Sequence, residues 1–114
     1  MKNNIKNFPI EKVTNLAGEV EVRKGEVVSK TLVQNDALSM TLFAFDKGEE
    51  IGEHDSSGDA MVNVLEGVGV FTVGGQKYEV KAGESLIMPA KIPHALYAKE
   101  SFKMLLIVIF PNKA

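Results

Sequence analysis

Between Leu38 and Phe110 the sequence is a succession of short β-branched and aromatic runs cut by turn residues, and this pattern most limits the fold. Leu38–Phe45 alternates apolar with small or polar positions and stops at Asp46-Lys47-Gly48. Met61–Leu65, Val68–Val73, Gln76–Val80, Ser85–Met88, Ala95–Ala98 and Phe102–Phe110 follow, each bounded by Gly, Pro or a polar cluster. Gly74-Gly75 joins two of these runs, and two adjacent glycines accept the positive φ angles of a tight hairpin. Many short strands at regular turn spacing predict a sandwich or barrel rather than a parallel α/β sheet. Ahead of them, Val20, Val22 and Val27-Val28 predict a first hairpin turning at Lys24-Gly25, and Ile10–Leu16 predicts a short helix entered through Pro9.

Two blocks in this series carry chemistry. The first runs Gly48-Glu-Glu-Ile-Gly-Glu-His54-Asp-Ser56-Ser-Gly-Asp-Ala60, then six residues to Gly67. The second runs Gly83-Glu-Ser-Leu-Ile-Met-Pro89-Ala-Lys91-Ile-Pro-His94-Ala-Leu-Tyr-Ala98. Together they resemble the two signature motifs of the cupin superfamily. The resemblance covers residues 38–110 and implies an all-β fold, the double-stranded β-helix or jelly-roll barrel. On that reading residues 1–114 form a single cupin domain, with 1–37 supplying an N-terminal arm and added strands.

In that family two histidines and a glutamate of the first motif, with one histidine of the second, hold a metal inside the barrel. Here His54 and His94, the two histidines of the chain, fall on ligand positions, while Ser56 and Ala60 occupy the other two. Lys91 stands where the family prefers glycine. The resemblance therefore implies a barrel-mouth site at His54 and His94 for one divalent transition metal, Fe, Mn, Ni or Zn. Asp59, beside the vacant glutamate position, or Glu50, on the same alternation phase as His54, is the expected third ligand, with Asp55 and Glu53 as further carboxylates nearby. Two histidines and one carboxylate leave positions open for substrate, the arrangement of a metal-dependent oxygenase, isomerase or lyase acting on a small molecule. The alternative is a metal-free module that binds or senses a small organic ligand, for which the loss of two ligand positions speaks.

Alternation fixes which side chains share a face with the histidines. Ser56, Ala60, Val62, Met88, Leu96, Ala98 and Met104 are the expected pocket residues, and Tyr97 is expected to face away. Met40, Met61, Met88 and Met104 lie on separate strands, where thioethers suit core packing or an adaptable apolar pocket.

Composition excludes several classes. Lys and Arg number 13 against 15 Asp and Glu, and the charges are scattered, so no basic surface for nucleic acid is expected. With no cysteine, disulfides, zinc knuckles and thiol nucleophiles are out. Met104–Phe110 is too short to span a bilayer and suits a buried strand. The expected protein is cytoplasmic, binds a small-molecule ligand, and pairs as a homodimer, with the arm Lys2–Phe8 lying on its neighbour.

Overall fold

The computed structural model describes residues 4–112, so Lys2 and Asn3 of the expected arm lie outside the described residues. Among the described residues, nine strands follow one short 3-10 turn: β1 Val27–Gln34, β2 Leu38–Phe45, β3 Glu50–His54, β4 Asp59–Glu66, β5 Val68–Val73, β6 Gln76–Lys81, β7 Ser85–Met88, β8 His94–Ala98 and β9 Phe102–Ile109. They form two antiparallel sheets, one ordered β1-β2-β9-β4-β7 and the other β3-β8-β5-β6. The all-β jelly-roll expectation therefore holds.

The core lies between the sheets because each strand presents alternate apolar residues inward. On β4, Ala60, Val62 and Val64 are buried while Asp59 and Met61 are exposed. On β8, His94, Leu96 and Ala98 are buried and Tyr97 is exposed. Three aromatic rings tie the layers together: Phe45 stacks on Phe102 at 4.6 Å, and Phe71 meets Phe102 edge-on at 6.0 Å. The hairpin at Gly74-Gly75 forms as expected, with φ of 57° and 84° at its two glycines. Asp46 fixes the turn after β2 by accepting from the backbone N–H groups of Gly25 and Lys47 and from the Ser101 hydroxyl. Those bonds, the Gly25 N–H foremost, hold its carboxyl below the ordinary value of 3.8.

The first quarter of the chain departs from expectation. Ile10–Leu16 is not helical; a 3-10 turn forms at Leu16–Glu19, with the Asn15 side chain capping the amide of Ala17. Seven residues that include Ile10, Val13 and Thr14 are too few and too β-branched to nucleate an α-helix. The turn at Lys24-Gly25 is present, but Val20 and Val22 are not in a strand. They pack instead with Phe8, Leu16, Leu32, Val33, Leu42 and Leu105 in a second apolar cluster. This cluster covers part of the outer face of the five-stranded sheet, since Leu42 and Ala44 alternate with the inward Phe43 and Phe45.

Candidate functional site

The two histidines reach the same place from different strands. His54 ends β3 and His94 begins β8, and the two residues are register partners in the four-stranded sheet. Their Nε2 atoms lie 3.1 Å apart. His54 Nδ1 donates to the carbonyl of Gly52 at 2.9 Å, and His94 Nδ1 donates to the carbonyl of Ile92 at 3.2 Å. A carbonyl oxygen accepts only, so each Nδ1 is the donor to its carbonyl, and the two Nε2 atoms are turned towards each other.

This geometry sets a proton count. The string from the Gly52 carbonyl through both rings to the Ile92 carbonyl has three contacts, and two neutral imidazoles supply two N–H groups. With two such N–H groups given to the carbonyls, the Nε2–Nε2 contact is the one left without a proton. Burial holds the His94 imidazolium below the ordinary 6.5, and the neighbouring His54 adds to this, while the Ile92 carbonyl and Asp55 pull the other way. His94 is only 4% exposed, whereas His54 stands at the solvent-facing side. The pair is thus closed on one side and open on the other.

The loops that carry the histidines are clipped together. Lys91 donates its amide to the Ser56 carbonyl at 2.7 Å, and Gly74 donates to the Pro93 carbonyl at 2.9 Å. Lys91 has φ of 65°, the left-handed conformation that accounts for a glycine preference at this position.

The expected carboxylate ligands lie elsewhere. Asp59 sits on the exposed phase of β4, and its Oδ1 accepts from the Ala90 amide at 2.8 Å. It pins the Pro89–Lys91 loop. Glu50 is off the histidine phase because β3 carries an irregularity between Ile51 and His54. Ile51 opposes Leu96 and His54 opposes His94, so two residues, Gly52 and Glu53, face the single Ala95. The extra residue turns Glu50 to the outer face, opposite Tyr97. An isolated glycine in a strand pattern is a bulge signal, and Gly52 is that signal here. Among the described residues, no three His, Cys, Asp or Glu side chains gather into a metal-holding group.

The expected pocket residues separate in the same way. Ala60, Val62, Met88, Leu96, Ala98 and Met104 are at most 5% exposed and pack with Phe45, Phe71, Phe102 and Val108. They pack as core, where apolar side chains satisfy one another, and of the six only Leu96 also borders the cleft on the outer face of the four-stranded sheet. Ser56 lies in the loop after β3, where its hydroxyl accepts from the Gly58 amide at 3.2 Å. A cleft of ≈430 Å³ that the sequence did not suggest lies on the outer face of the four-stranded sheet, with Glu50, Thr72, Lys77 and Tyr97 among its walls. No helix among the described residues is long and apolar enough to cross a membrane.

Comparison with known proteins agrees with the motif reading. The Cupin domain family matches residues 41–110. The chain is 46% identical to a conserved protein of unknown function from Streptococcus pyogenes, over 98% of each chain and with a TM-score of 0.96. A cupin superfamily protein from Desulfitobacterium hafniense is 35% identical, with 96% of this chain and 100% of that one covered and a TM-score of 0.91. A cupin 2 conserved barrel domain protein from Leptotrichia buccalis is 48% identical over 84% of this chain and 47% of that one, with a TM-score of 0.83. No curated protein matches the chain. The motif spacing, the paired antiparallel sheets and these similarities together make the chain a member of the cupin family.

Proposed function

We propose that this cupin binds one divalent transition-metal ion between His54 and His94 at the barrel mouth, with water and a small organic ligand completing the coordination shell. The observation that carries this reading is the 3.1 Å separation of two Nε2 atoms whose Nδ1 protons are already committed to carbonyls. With metal–imidazole bonds of about 2.0–2.1 Å, two ligands of one ion stand about 2.9 Å apart at a right angle and about 3.3–3.4 Å apart at the tetrahedral angle. The residues fit such an ion as a two-histidine site. Carbonyl-anchored Nδ1–H groups are the usual support that fixes the tautomer of a metal-binding histidine. Burial disfavours a third proton on His94, so a metal ion is the cation that best relieves the facing lone pairs.

His54 and His94 would hold the ion as two neutral donors without a carboxylate, so it would keep its full positive charge, and the exposed His54 leaves the pair open to solvent. An ion of that kind polarises a bound oxygen ligand.

A second reading, metal-free binding of a small organic ligand, is favoured by Ala60. It occupies the family's glutamate position with a side chain that has no donor atom, and it packs among core residues. Calorimetric titration of chelator-stripped protein with Zn, Ni, Mn and Fe(II) distinguishes the two. One ion bound per chain, lost in both His54→Ala and His94→Ala, supports the metal site. No binding of any of the four ions removes it and leaves the organic-ligand reading.

A further inference from the structure

The four-stranded sheet has a second face, turned away from His94, and register aligns its outward side chains in two rows. Glu50 of β3, Tyr97 of β8, Val70 of β5 and Glu79 of β6 form one row. Ala95, Thr72 and Lys77 form the other, which ends on the β3 side at the bulge residues Gly52 and Glu53. The cleft of ≈430 Å³ lies over these rows, with a volume in the usual range of small-molecule pockets.

The cleft has a charge at each end and none between. Glu50 stands on β3 and Lys77 on β6, the two edge strands of the sheet, and both are exposed. Glu79, the other charge in the rows, is taken by Lys99 at 3.1 Å. Among the described residues, the side chains of Glu50 and Lys77 have no hydrogen-bond or ion-pair partner, and neither have the Thr72 hydroxyl and Tyr97 phenol between them. Three strand spacings set the backbones of Glu50 and Lys77 about 14 Å apart across the sheet, too far for the two side chains to meet.

Gly52 keeps the β3 side of the cleft clear. A Cβ there would meet no atom within 4 Å, and the residue lies outside the left-handed region, so neither packing nor backbone conformation demands a glycine. The bulge at Gly52 is also what turns Glu50 to this face. Bulges beside functional sites re-aim side chains in this way.

We infer that the cleft binds a zwitterionic peptide two residues long, with its ammonium at Glu50 and its carboxylate at Lys77. An extended dipeptide spans about 7 Å, and the two charged side chains leaning in from the edges close the remaining distance. The peptide ammonium lies against the ring of Tyr97, which is 45% exposed and whose face attracts cations. The peptide carboxylate accepts from the Lys77 ammonium and the Thr72 hydroxyl, and an apolar peptide side chain rests on Val70 and Ala95. A molecule with one charge satisfies one end of the cleft and leaves the other unpaired. The site is separate from the histidine pair and does not rest on a bound metal.

NMR titration of the isotope-labelled full chain, stripped of metal, with glycyl-leucine tests the inference. Saturable shifts are expected at the amides of Glu50, Thr72, Lys77 and Tyr97. Glu50→Gln and Lys77→Gln, both at exposed positions, are each expected to weaken binding by about two- to fivefold, the size of one exposed ion pair. Acetylating the peptide's amino group is expected to weaken binding to wild type by a similar factor and to change little in Glu50→Gln. Amidating its carboxylate bears the same relation to Lys77→Gln, so each cycle isolates one contact. A variant carrying both His54→Ala and His94→Ala is expected to bind the peptide as wild type does, which separates failure of this site from failure of the metal site. No saturable shift at tens of millimolar peptide, shifts centred on other residues, or blocked peptides that bind wild type as well as glycyl-leucine overturn the inference.

Discussion

The amide of Lys91 donates to the carbonyl of Ser56 at 2.7 Å, and this bond draws the two histidine-bearing loops together. The bond is made by a residue in a strained conformation, with φ of 65°. A non-glycine residue there costs roughly 1–2 kcal/mol, offset by the smaller entropy it loses on folding. Lys91→Gly is expected to raise stability by about 0.5–1 kcal/mol and leave metal binding intact. Urea unfolding of the two proteins checks this; a destabilised variant would show that the lysine side chain contributes a contact of its own.

Asp59 and Glu50 hold no ligand position in this account. Asp59→Asn keeps an acceptor for the Ala90 amide, and Glu50→Gln alters a side chain on the opposite sheet face from His54. Both variants are expected to bind metal within about twofold of wild type, whereas loss of a metal-supporting group typically costs roughly tenfold or more. A tenfold loss in either would identify the missing carboxylate ligand.

The metal-stripped protein is expected to lose stability on mild acidification. The folded His94 has a depressed pKa, so below the ordinary value of 6.5 the unfolded chain binds more protons than the folded one. Its contribution is therefore complete above that value and is lost as pH falls through the folded value. The unfolding midpoint in urea should drop between about pH 7.5 and about pH 5.5, and the slope should flatten in His94→Gln. An equal slope in the variant would place the titrating group elsewhere.

Gly67 sits between β4 and β5 with φ of 76°, and a Cβ there would strike the carbonyl of Ser101 and the backbone of Phe102. Gly67→Ala combines a left-handed backbone with a backbone clash, and a cost of about 2–4 kcal/mol is expected in thermal or urea unfolding. Phe102 beside it stacks on Phe45 and meets Phe71, so Phe102→Ala is expected to cost about 3–5 kcal/mol. A loss below about 1 kcal/mol in either would contradict this packing.

Particular residues show where the sequence was legible. Strict alternation placed Ala60 and Val62 on the inner face of β4, and His94, Leu96 and Ala98 on that of β8, because half-buried antiparallel strands expose every second residue. Gly74-Gly75 announced its own turn. Glu50 was misplaced because a single extra residue in β3 reverses every face upstream of it, and periodicity counts through a bulge without seeing it. Val20 and Val22 were misplaced for another reason. Their burial comes from covering the outside of a sheet formed by residues further along the chain, a tertiary contact that no local pattern encodes. Met88 and Met104 were expected either as core or as an apolar pocket, and they pack in the core cluster; a methionine's place in a strand does not tell a filled interior from an open one.

X-ray absorption spectroscopy on stoichiometrically metal-loaded protein reads out whether His54 and His94 bind the ion. One ion per chain is expected, with two imidazole nitrogens at about 2.0–2.1 Å and oxygen donors in the remaining positions. A first shell without imidazole scattering would contradict it, as would one ion shared by two chains with four imidazoles.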